Sequence, residues 1–294
     1  MIEVRGLAKT YGDQRAVDDL SFTAPAGKVT GFLGPNGAGK TTTLRCLLGL
    51  AEPTSGTVLL DGRRYRDLTA PRRRVGAVLE SSGFHPGRSG RNHLRVVARA
   101  AGLDGARIDP LLDLFGLAGA GDRRVGGYSL GMCQRLGLAA ALLGDPGVLV
   151  LDEPSNGLDP QGVAWVRQLL RAWATEGRTV LVSSHLLAEV AQAVDRVVII
   201  RDGTLVAESD IAELTDGRMR VRVDRTEPML AALRTAGTDH DLLPDGAIEV
   251  TGRDPAVIGG IAARAGVAVT ELSRLGASES LEALFLDATG GNGR

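Results

Sequence analysis

The run "KVTGFLGPNGAGKTTTLRCLLGL", residues 28–50, restricts this chain more than any other stretch. An apolar strand pattern enters a glycine-rich turn and leaves it as a helical pattern, and "GPNGAGKT" (34–41) satisfies G-x-x-x-x-G-K-[ST]. Strand, loop and helix in that order open an α/β sheet that binds its ligand beyond the carboxyl ends of its strands. Glycines let backbone N–H groups curl around phosphate oxygens, where a side chain would obstruct. Lys40 adds a point charge for the β- and γ-phosphates of a nucleotide, and the Thr41 hydroxyl can ligate Mg²⁺. The contact set expected for the nucleotide is therefore Gly34, Pro35, Asn36, Gly37, Ala38, Gly39, Lys40, Thr41 and Thr42.

A second stretch completes the first. "VLVLDEP" (148–154) reads as a buried strand with two carboxylates at its carboxyl end. Asp152 is suited to hold Mg²⁺ through water, and Glu153 to orient and deprotonate an attacking water. "TVLVSSH" (179–185) is another such strand, which puts His185 at a strand end of the same sheet, within reach of a γ-phosphate. A satisfied core or surface histidine is the other reading. Tyr11, in "KTYGDQRAVDDL" (9–20), offers a face for adenine with Val17 beside it, or else a half-buried ring without a ligand.

At 294 residues the chain has room for one large domain and one small one. "MIEVRGL", "AVDDLSF", "GTVLLDG" and "RVGAVLE" are strand-like, residues 89–117 and 160–174 are helical, "LLAEVAQAV" is a helix and "DRVVIIRDGTLVAE" a hairpin. Alternating strands and helices with nearly continuous apolar strands imply an α/β core around a buried, partly parallel sheet. Past residue 217 the order becomes β-α-β-β-α-β, a small α+β ferredoxin-like pattern, closed by the helical "SLEALFLDATG". The expected division is 1–216 and 217–294.

Composition narrows the function. Lys+Arg 34 against Asp+Glu 35 leaves a net charge of -1, and aromatics are 3%. Neither a nucleic-acid surface nor a base-stacking platform is written into such a chain. The two cysteines, Cys46 and Cys133, lie in apolar helical patterns and read as inert thiols rather than a disulfide or metal pair. "MIEVRGLAKTYG" has no hydrophobic signal core, and Gly144-Asp145-Pro146 breaks the most apolar stretch, so the expectation is a cytoplasmic protein.

"YSLGMCQRL" (128–136) places a serine at the head of an apolar helix, a ready anion site. Together with the phosphate loop, "VLVLDEP", "SNGLDP" and "TVLVSSH", it resembles the nucleotide-binding subunit of ATP-binding cassette (ABC) transporters over residues 2–216, the motifs standing in that family's order. Ser129 and Gly131 match the serine and second glycine of the family signature, Asp159 its D-loop aspartate, and His185 its switch histidine. The departures are Tyr128, Leu130, Met132 and Cys133 within the signature, and Glu80 at the position where many relatives carry the Q-loop glutamine, near the metal. The "YSLGM" form and the tail "SLEALFLDATG" are similar to the bacterial antibiotic- and drug-export branch, of the daunorubicin- and bacitracin-resistance type.

This resemblance implies a P-loop NTPase cassette: a RecA-like core, a β subdomain, and a helical subdomain about 85–145. It further implies an ATPase using ATP and Mg²⁺. Two copies would form two composite ATP sites, each with the loop of one protomer facing Ser129 and Gly131 of the other. The dimer would power export through a separately encoded permease, touched by residues 80–94, and would meet the inner face of the membrane only through it. A soluble relative acting on ribosomes or DNA is the alternative. A single cassette and a near-neutral charge speak against that class, and Glu153 with His185 against a regulatory module that does not turn over.

Overall fold

The computed structural model describes residues 1–79, 83–185, 192–215 and 217–274. Glu80, most of the "LLAEVAQAV" helix and the whole of "SLEALFLDATG" lie outside them. Contacts divide the chain into a unit Met1–Glu208 and a unit Ser209–Arg294.

The first unit holds two sheets. Strands β3 (Val29–Leu33), β5 (Val75–Val78), β6 (Val148–Asp152), β7 (Thr179–Ser184), β8 (Arg196–Arg201) and β9 (Thr204–Asp210) form a six-stranded sheet in the order β5-β6-β7-β3-β8-β9. Pairing is parallel from β5 through β8. Every residue of β3, β6 and β7 is buried, which explains why these strands read as unbroken apolar runs instead of alternating ones. Asp202 and Gly203, both at positive φ, turn β8 into β9. The other sheet is antiparallel, in the order β2-β1-β4, from β1 (Ile2–Tyr11), β2 (Gln14–Ala24) and β4 (Ser55–Leu60).

Helix α1 (Lys40–Leu47) joins the two sheets into one core. Leu44 and Leu47, fully buried on α1, meet Ile2, Leu20 and Phe22 from the antiparallel sheet and Phe32, Val150 and Val198 from the parallel one. The Phe22 and Phe32 rings stack at 5.1 Å. Each such leucine contributes about 1.5–3 kcal/mol by leaving water, so the position of α1 is fixed from both sides. Its N-terminus is thereby held at the carboxyl end of β3. Helices α2 (Gly90–Ala100), α3 (Ile108–Leu114) and α4 (Leu130–Ala141) pack on one another, and α4 also rests on β5. Helix α5 (Pro160–Thr175) lies against β7 and β3.

In the second unit a short helix, α6 (Ile211–Thr215), precedes β10 (Arg218–Val223), α7 (Thr226–Thr235), β11 (His240–Leu242), β12 (Ile248–Thr251), α8 (Pro255–Arg264) and β13 (Val269–Arg274). The antiparallel order β11-β12-β10-β13 is that of a ferredoxin-like fold. Met219, Val221, Ile248 and Val250 on the sheet pack against Met229, Leu233 and Ile258 on the helices, a core of its own. Both cysteines are free, and burial pushes both thiols up from their ordinary pKa, in keeping with inert side chains. Among the described residues no helix is long and apolar enough to cross a membrane.

Candidate nucleotide site

The loop between β3 and α1 is shaped by close approach. A Cβ on Gly34 would stand 2.4 Å from the Ile200 carbonyl oxygen, and one on Gly39, at φ 101, would stand 2.5 Å from that of Ala16. Only glycine fits either place. Gly39 is also the N-cap of α1, where no side chain caps the helix. The first N–H groups of α1 are thus left to an anion, with the helix dipole behind them.

Lys40 is 7% exposed, and its Nζ donates to the carbonyls of Gly34 (2.6 Å) and Pro35 (3.1 Å). Glu153 Oε1 is 3.9 Å away. Burial lowers the Lys40 pKa, and the Glu153 and Asp152 carboxylates oppose that shift. The ammonium lies in a region that already favours an anion.

Register builds the acidic half. Asp152 pairs with Ser183 across β6 and β7, so the Ser183 hydroxyl donates to Asp152 Oδ1. Thr41 Oγ1 donates to Asp152 Oδ2 at 2.8 Å. Ser183 Oγ also accepts from the Glu153 N–H at 3.0 Å, and Gln134 Nε2 on α4 donates to the Glu153 carbonyl at 3.3 Å. Glu153 sits at φ 49, a conformation costing a non-glycine residue on the order of 1–3 kcal/mol. With the Asn156 N–H also donating to its carbonyl at 3.0 Å, backbone hydrogen bonds returning about 0.5–1.5 kcal/mol each are of the size needed to hold it there. Its carboxylate meets His185 Nδ1 at 2.9 Å.

These groups face one cavity of about 1100 Å³, the volume of a sizeable ligand. Of the residues read from sequence, Tyr11, Asn36, Gly37, Gly39, Lys40, Thr41, Thr42, Asp152, Glu153 and His185 line it. Gly34, Pro35 and Ala38 shape the loop without lining it. Tyr11 is 48% exposed, with the Lys9 ammonium 4.8 Å from its ring centre. Val17 is fully buried behind Gly39 and does not line the cavity; its neighbour Ala16 does. Glu80 lies outside the described residues. Ser129 and Gly131 do not line this cavity either. Ser129 is exposed at the N-cap of α4, its Oγ accepting from the Met132 N–H at 3.2 Å. Asp159 caps α5 through the Gly162 N–H at 2.8 Å.

Sequence reasoning passed over Gln14, Arg15, Gln134, Asn156 and Asp202, which line the cavity, and Ser183, which supports it. Gln134 carried a signal: it occupies a buried position of α4 together with Leu138 and Ala141, so a polar group faces inward. Ser183 stands two residues before His185, near the carboxyl end of β7.

A family profile described as "ABC transporter" matches residues 17–156, and one described as a domain of unknown function matches residues 217–282. The chain is similar to the bacitracin transport ATP-binding protein BcrA of Bacillus licheniformis, 44% identical over 71% of this chain and 69% of that one. It is 35% identical to the protein of the same name from Enterococcus faecalis, over 100% of this chain and 97% of that one. A solved ATP-binding subunit of an ABC transporter aligns with TM-score 0.67 and 30% identity, covering 73% of this chain and 91% of the other.

Proposed function

The chain belongs to the ABC transporter family of ATP-binding proteins, in its antibiotic-export branch, and from that premise we propose how its site works. It is an ATP-hydrolysing subunit that powers export through a separate permease. The exported compound, on our reading, is an antibiotic or a similar amphipathic molecule. The triphosphate lies along the loop and the N-terminus of α1, where Lys40 exchanges its carbonyl partners for phosphate oxygens. Tyr11 stacks on the base. Glu153, held by His185, orients and deprotonates the attacking water.

Thr41 and Asp152 suit Mg²⁺. Among the described residues no group of three or more His, Cys, Asp or Glu side chains could hold a metal alone, but Mg²⁺ takes one or two protein oxygens and completes its shell with phosphate and water. A hydroxyl and a carboxylate, already 2.8 Å apart, are hard-oxygen donors of that kind. Bound there, the ion would neutralise charge developing on the phosphates.

The observation that carries the dimer is the place of Ser129. It caps α4 at an exposed N-terminus and is absent from the lining of its own chain's cavity. The Ser129 oxygen already accepts from its own helix, while its O–H remains able to donate to an anion. We read that anion as the γ-phosphate on a second copy, so that two copies enclose two ATP molecules. The dimer then sits peripherally beneath the permease on the inner membrane face, and residues 217–294 form an accessory domain.

Sedimentation tests this reading. Made in a Glu153→Gln background to slow hydrolysis, the chain is expected to dimerise with ATP. Adding Ser129→Arg should leave ATP binding to the monomer intact and abolish the dimer, because charge and bulk replace the anion site without touching the loop. Equal dimerisation of both would mean the sites are not composite.

A further inference from the structure

We propose that Gln134 is a positioning residue for Glu153, through which the helix presenting Ser129 also holds the base of its own chain; this rests on the reading of Glu153 as the base. Glu153 is held by Ser183 on its N–H, by Gln134 and the Asn156 N–H on its carbonyl, and by His185 on its carboxylate. Ser183 and His185 belong to β7 or its end, within the sheet that also carries Glu153 at the tip of β6. Gln134 comes from α4, outside that sheet. It is 3% exposed, and a buried amide is costly unless it donates, so the Glu153 carbonyl is a partner this residue requires.

The same helix grips the chain just beyond Glu153. A Cβ on Gly157 would lie 2.0 Å from Leu130 Cδ2, and one on Gly131 would lie 3.3 Å from Leu158 Cδ2. Residues 153–158 are therefore strapped to the first two turns of α4 by one hydrogen bond and two close contacts. Packing this tight transmits a shift instead of absorbing it. When Ser129 meets the anion on a second copy, the displacement of α4 passes through Gln134 to Glu153 of the same chain. Occupancy of one composite site thereby sets the base of the other.

Phosphate release and ATP-driven sedimentation on full-length chains test the proposal. Gln134→Met keeps the length and removes the donor; kcat should fall roughly ten- to a hundredfold, the cost of a small misplacement at a reacting centre. KM for ATP and the ATP-driven dimer should stay unchanged. Gln134→Glu supplies a readout that mere helix integrity does not move. A buried carboxylic acid regains a donor when protonated, so its deficit relative to wild type should shrink as the pH is lowered. Wild-type kcat in Gln134→Met overturns the proposal, as does loss of the dimer in parallel with kcat. Should Gln134→Met not fold, a flat deficit across pH in Gln134→Glu overturns it equally. Full turnover in Glu153→Gln would instead remove the premise, a result separable from the others.

Discussion

Lys40 shows how one residue carries opposed demands. Its ammonium is buried against two carbonyls, with a carboxylate oxygen no nearer than 3.9 Å, so without an anion its charge is under-compensated and its pKa is lowered from 10.5. Between that lowered value and 10.5 the unfolded chain binds more protons than the folded one, and stability rises with pH through the window. Below the window the cost is present in full. Thermal melts of wild type and Lys40→Met without nucleotide should therefore diverge in the wild type's favour as the pH climbs toward 10.5. Titration calorimetry with ATP should show the converse dependence on the cation, a loss of about 2–5 kcal/mol in Lys40→Met, as for one partner removed from a buried charge pair. Wild-type affinity in that variant would displace the triphosphate from the loop. At this scale the sequence singled out Lys40, Thr41, Asp152, Glu153 and His185 by residue type and motif, and the structure sets all five in the lining of one cavity. It was silent on Ser183, whose importance comes from standing opposite Asp152 in a parallel register. Val17 was read as a neighbour of adenine. Being next to Ala16 in a strand, it points to the opposite face, into the core.

Helix termini differ in how their first N–H groups are met. Ser89, Ser129 and Asp159 cap α2, α4 and α5 with their own side chains, whereas Gly39 gives α1 no such cap. Serine or aspartate before an apolar periodic run is visible in sequence, and so were these helices. Ties between elements were not visible, because they join residues far apart in the chain. Asp145 illustrates this: it sits at φ 53 in the turn between α4 and β6. Its Oδ1 takes Arg107, at the N-cap of α3, and Arg178, just before β7, each at 2.8 Å. The Arg107 hydrogen bond and then that from Arg178 hold its pKa below 3.8. A carboxyl depressed in the folded state stabilises above its ordinary pKa and loses that contribution as the pH falls through the folded value. Asparagine tolerates the same backbone conformation, so Asp145→Asn removes the charge alone. At neutral pH the variant should be less stable by no more than about 1 kcal/mol, since Asp145 is half-exposed and solvent screens the pair. Urea titrations at pH 7 and at acid pH check this: the difference should shrink as the pH falls, and a difference that does not change with pH would assign it to geometry instead of charge.

Among the described residues, one hydrophobic core runs from Ile2 to Ile200 and another from Met219 to Val267, with no residue in common. The change from near-continuous apolar strands to alternating ones announced the second core in the sequence, since a two-sided buried sheet and a one-sided antiparallel sheet demand different patterns. Every residue lining the nucleotide cavity, Asp202 being the last, belongs to the first unit. Strand β9 continues to Asp210 at the edge of the parallel sheet, so a cut at the contact boundary itself would clip that sheet. Truncation after residue 216 spares it. The fragment 1–216 keeps the whole first core and the whole cavity lining, and its length lies within the range of a single domain. It is expected to unfold in one cooperative transition and to bind ATP within about twofold of the full chain, a change well under 1 kcal/mol. Circular dichroism melts with and without ATP measure both. A ligand that binds only the folded state raises the melting temperature by mass action, so the ATP-induced shift in the fragment should equal that of the full chain. Loss of the shift, or aggregation of the fragment, would mean that the second core is required to complete the first.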